Sequence, residues 1–145
     1  MLNFGLLGAG LVLGIAALGS ALGIGYAGMA TIGAWKRCYA ANKPAPQMLL
    51  AFVGAPLTQT FYGFILMGQL VAAATANPDN AWLYVGYGLA GGFGMAFSAI
   101  AQGRAGAAAA DAQGETGKGF ASYIGVLGIA ETVALFVMVL TMTSL

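Results

Sequence analysis

The stretch Phe120–Leu145 reads FASYIGVLGIAETVALFVMVLTMTSL and carries a single charge, Glu131, near its middle. About 20 apolar helical residues cross the hydrocarbon core of a bilayer, so this run predicts a membrane-spanning helix with an acid at mid-depth. An unpaired carboxylate there costs several kcal/mol, roughly 2.5–3.5 on insertion scales, and an intramembrane acid is therefore read first as a functional group. The rest of the chain is read by asking what could surround Glu131.

The composition agrees with a membrane setting. Of 145 residues, 60% are hydrophobic and 6% charged, against about 25% charged in an ordinary soluble domain. Nearly all the charges fall in the gaps between apolar runs, Arg104 and Glu131 excepted, and the net charge of +1 gives no reason to expect nucleic acid as a partner. With no His and only Cys38, conventional zinc sites, Cys/His nucleophile pairs and intramolecular disulfides are excluded. Nothing matches the GxxxxGK[ST] phosphate loop, so the chain is expected to be no enzyme on its own, and any ATP hydrolysis to lie on another chain.

Four apolar runs, roughly 3–33, 48–75, 82–110 and 119–144, predict an all-α membrane protein with four transmembrane helices. The first run lacks the basic n-region of a signal peptide and is too long for an h-region, so it is expected to be a retained span. Lys36, Arg37 and Lys43 lie in the expected loop 34–47, and the turn Asn77–Asn80 has no positive charge. The positive-inside rule then puts the first loop in the cytoplasm and both termini outside. The expectation is a multi-pass integral membrane protein, in the cytoplasmic membrane if the chain is prokaryotic. Trp82, Tyr84 and Tyr87 follow the outer turn, where amphipathic rings favour the interface.

An internal repeat divides the chain into two helical hairpins, 1–75 and 76–145. Ser20-Ala-Leu-Gly-Ile-Gly-Tyr-Ala-Gly28 aligns with Ser98-Ala-Ile-Ala-Gln-Gly-Arg-Ala-Gly106, and Gln59-Thr-Phe-Tyr-Gly-Phe64 with Glu131-Thr-Val-Ala-Leu-Phe136. Both copies run in one direction, so this is a parallel duplication, and only the second carries the acid. The first and third runs are rich in glycine, which lets helices approach closely in lipid. They are expected to form an inner layer, with the bulkier second and fourth helices outside.

Gln59 and Glu131 each stand 11 positions from the cytoplasmic end of their runs, about 17 Å deep, and Gln102 stands about 12 Å deep on the third. Thr58, Gln59 and Tyr62 share or border one face of the second helix. Together these offer a hard cation a carboxylate, two amide oxygens and a hydroxyl. Pro56 removes a backbone donor, which makes the carbonyls of Phe52 to Ala55 candidate ligands. A Tyr62 hydroxyl could hold Glu131 in place.

The patterns Ala55-Pro-Leu-Thr-Gln-Thr-Phe-Tyr-Gly-Phe64, Ile100-Ala-Gln-Gly-Arg104 and Ala130-Glu-Thr132 resemble the proteolipid rotor subunit of V-type and archaeal-type rotary ATPases, in its four-helix duplicated form. The resemblance spans essentially the whole chain. It implies a homo-oligomeric ring in lipid that carries one ion per acid past a membrane stator subunit and is coupled through a central-stalk subunit to ATP hydrolysis or synthesis elsewhere. It places ion binding on Thr58, Gln59, Gln102, Glu131 and the backbone carbonyl of Ala55, where a Leu can occur, with Tyr62 bonding the acid and Pro56 in support. Sodium is the expected ion, because so many oxygens reward a hard cation; the proton is the alternative. A small cation or multidrug antiporter is the competing class. It should surround its acid with aromatic residues, but Ala130, Val133 and Ala134 flank this one. A purely structural proteolipid would have no use for Glu131.

Overall fold

The structure is a computed structural model that describes residues 3–145; Met1 and Leu2, the start of the first expected hairpin, lie outside it. It is all-helical, with no strand among the described residues. Four helices are long and apolar enough to cross a membrane: α1 (Gly5–Ala40), α2 (Gln47–Ala76), α3 (Pro78–Thr116) and α4 (Phe120–Met142).

Glycine decides how the helices pack. A Cβ added to Gly88 would lie 2.1 Å from the carbonyl oxygen of Gly8, and one on Gly103 would lie 2.2 Å from the backbone of Gly23. The backbones of α1 and α3 therefore touch at two levels, which only glycine allows in lipid, where packing must come from close contact. Gly8 meets Gly88, Gly23 meets Gly103 and Ala34 meets Gly114, a constant separation of 80 positions. A constant difference means that α1 and α3 run parallel. The helix α4 lies outermost, with 17% of its apolar window buried against 39% and 44% for α1 and α3.

Proline and glycine set the breaks. Pro56 sits inside α2, where Ala55–Leu57 form a 3-10 turn because the ring removes a ladder donor. Between α3 and α4, Gly117 and Gly119 adopt φ of 67° and 93°, left-handed values that a side chain disfavours.

Helices run further than hydropathy suggests. The helix α1 continues to Ala40 and α3 to Thr116, not to 33 and 110, so Lys36, Arg37, Asp111 and Glu115 lie on helices and not in loops. Apolarity marks where lipid ends, whereas Ala, Lys, Arg, Gln and Glu continue a helix readily into water. The extension lets Arg37 pair with Asp111. Cys38, expected in a loop, is buried in the last turn of α1 with its thiol near the Gly114 carbonyl. Trp82 is 81% exposed, as an interfacial ring should be, but Tyr84 is 2% exposed and packs against the start of α1.

Candidate functional site

The polar residues of α2, α3 and α4 converge at one level. Pro56 packs against Gly23 of α1, and the turn that follows sets Thr58, Gln59 and Tyr62 on the side of α2 that faces α3 and α4. Gln59 and Gln102 are wholly buried. A buried amide must find partners, and these find each other: Gln59 Nε2 donates to Gln102 Oε1 at 2.9 Å.

Glu131 receives two donors, one to each oxygen. Tyr62 donates its hydroxyl to Oε1 at 2.5 Å, and Gln102 Nε2 donates to Oε2 at 3.3 Å. Gln102 Nε2 also donates to the Leu127 carbonyl at 2.9 Å, which fixes which end of that amide faces α4. Its nitrogen therefore meets Glu131, while its oxygen, the expected ligand atom, is turned to Gln59. Thr58 Oγ1 lies 3.0 Å from the Ala55 carbonyl oxygen and 3.2 Å from Gln59 Oε1. Of the four candidate carbonyls, Ala55 is thus the one that a site side chain reaches.

The structure brings together Thr58, Gln59, Gln102, Glu131 and Tyr62 in one bonded network, with the Ala55 carbonyl at its edge and Pro56 behind it. It adds Ser98, a residue that enters the sequence argument only through the repeat. Ser98, 4% exposed, donates to the Ala130 carbonyl at 2.7 Å and accepts from Gln59 Nε2 at 3.4 Å. The signal for it in the chain is its place four residues before Gln102, on the same helix face. Its repeat partner, Ser20, is equally buried but makes no hydrogen bond. The network belongs to one copy of the repeat.

Glu131 itself is half-buried, and on the outward face of α4 Ile129 and Val133 are 73% and 53% exposed. The acid is held from behind and open in front, a geometry suited to loading and unloading a small ion.

Four spanning helices and a carboxylate fixed between three of them define a multi-pass membrane proteolipid with an ion-exchanging acid. Residues 85–143, most of α3 and α4, match the family model for the C subunit of ATP synthase, so the second hairpin belongs to that proteolipid family, and the four-helix chain is consistent with a duplicated c-type protein. Members are ion-carrying membrane subunits, not catalysts by themselves, and form oligomeric rings within ATP synthase. No curated protein matches the chain.

Proposed function

We propose that this chain is the rotor-ring subunit of a V-type or archaeal-type rotary ATPase, that it arose by duplication of one helical hairpin, and that it carries sodium on Glu131. The machine is completed by a membrane stator subunit and a central-stalk subunit, and ATP is made or split on other chains. The observation that carries the ion assignment is the all-donor setting of Glu131, with Tyr62 on one oxygen and Gln102 on the other.

That setting suits an ionised carboxylate and a metal cation better than a carboxylic acid. A protonated carboxyl must donate its own hydrogen, and for that the Tyr62 hydroxyl would have to turn from donor to acceptor. Sodium asks only for oxygens, and Ala55 O, Thr58 Oγ1 and Gln59 Oε1 already lie within 3.2 Å of their neighbours in one group. Gln59 Nε2 has a second acceptor in Ser98; turning fully to it would release Gln102 Oε1 as a further ligand. Hard cations reward such sets, which offset the loss of hydration.

The test is carbodiimide modification of Glu131 at fixed pH. Sodium should protect, potassium should not, and Gln102→Ala should weaken the protection. Modification that sodium leaves unchanged at every pH where Glu131 reacts would assign the site to protons.

A further inference from the structure

Arg104 takes no part in the network. It lies on α3 two residues beyond Gln102, about 200° around the helix and about 3 Å nearer the cytoplasmic end, and it is exposed. Asp111, the nearest acid on its own helix, is about 10 Å further along and is taken by Arg37, the one ion pair among the described residues. Glu131 is held on the other side of α3. A guanidinium thus stands against lipid with no carboxylate, in a helix whose neighbouring residues are apolar, which is costly unless an anion meets it.

Its surroundings say which anion. The guanidinium carbon lies 5.4 Å from the ring centre of Tyr26, over its face, a contact that holds the planar fork in one orientation. Along the same exposed stripe, toward the outer side, Phe97 and Phe93 are 67% and 51% exposed and stack with centroids 6.3 Å apart. The stripe is charged at its cytoplasmic end and aromatic for about 10–15 Å beneath. Headgroup above and acyl chains below is the layout of a phospholipid in the cytoplasmic leaflet.

We propose that Arg104, braced by Tyr26, binds the phosphate of an anionic phospholipid whose chains lie on Phe97 and Phe93. An arginine grips phosphate oxygens in pairs, which a point charge does not. A second copy of this chain is the weaker candidate, because its only acid at this depth would be its own occupied Glu131. This inference needs the membrane placement but not the sodium assignment.

The assembled protein, washed in neutral detergent and returned to nanodiscs of mixed phosphatidylglycerol and phosphatidylcholine, is assayed for retained lipid by mass spectrometry. Wild type should retain phosphatidylglycerol about fivefold above its share of the mixture. Arg104→Gln should abolish the excess, Arg104→Lys should keep part of it, and Arg37→Gln should leave it intact. Wild type without preference would overturn the proposal, whatever the variants do. So would an excess that survives Arg104→Gln, or one that millimolar inorganic phosphate removes, since that marks a free-anion site. Should Arg104→Gln fail to assemble, the wild-type preference and the Lys variant decide.

Discussion

At the scale of single residues, Glu131 and the two groups that hold it make separable predictions. Glu131→Gln keeps the shape of the side chain and loses its charge, so ring assembly should be normal and coupled ion transport should fall to background; transport surviving in that variant would remove Glu131 from the mechanism. Tyr62→Phe deletes the 2.5 Å hydrogen bond to the carboxylate and leaves the packing in place. A bond to a charged group contributes about 1.5–3 kcal/mol, so sodium protection against carbodiimide should need roughly tenfold more sodium or beyond. Ser98→Ala should cost less, about 1 kcal/mol or a fivefold change, since Ser98 touches Gln59 and Ala130 and not the acid. An effect of Ser98→Ala larger than that of Tyr62→Phe would mean that Ser98 is itself a ligand. Most of this site is legible in the chain. Three polar residues and an acid in otherwise apolar runs have no reason to be there singly, and counting from the helix ends puts them near one depth. The part that stays hidden is orientation: which end of the Gln102 amide faces Glu131 depends on the Leu127 carbonyl, a tertiary neighbour that no spacing reveals.

At the scale of elements, the contact of α1 with α3 is made by backbone, so it should tolerate no added atom. A Cβ on Gly103 would sit 2.2 Å from Gly23 and one on Gly23 would sit 2.4 Å from the Ala99 carbonyl. Neither obstacle is a flexible side chain. Overpacking of this kind costs about 1–3 kcal/mol, and Gly103→Ala should lower the thermal midpoint of the purified protein accordingly. Gly125→Ala and Gly128→Ala are the controls: nothing lies within 4 Å of either added Cβ, so they should be neutral or stabilising by about 0.5–1 kcal/mol. Equal losses in all three variants would show that helix contact is not what Gly103 provides. Glycine content singles out α1 and α3 as the close-packed pair, because only small residues serve that purpose in lipid. The helix ends come out too short from hydropathy, which reports the solvent and not the backbone. Arg37 and Asp111 accordingly meet beyond the apolar runs, where hydropathy alone puts separate loops.

At the scale of the whole molecule, every atom proposed to hold the ion comes from one chain, and this fixes how a ring should fill. Thr58, Gln59, the Ala55 carbonyl, Gln102, Glu131 and Tyr62 are joined through hydrogen bonds without any gap that a second copy must close. In a duplicated chain a neighbour could have completed the site through the first hairpin, but there Gln59 replaces the acid and Ser20 has no partner. The first hairpin instead lends Thr58 and Gln59 to the acid of the second, giving one ion for every four helices. Each site in a ring should therefore load independently. Protection of Glu131 by sodium, followed on the assembled ring by the fraction of chains that carry carbodiimide, should trace a simple one-site curve, and single rings should show a binomial spread of modified chains at half protection. The identity of the ion does not enter this argument, only the ownership of its ligands. A steep sigmoidal curve, or rings that are either fully protected or fully modified, would show that neighbouring copies share the site, and the single-chain constellation would then be incomplete.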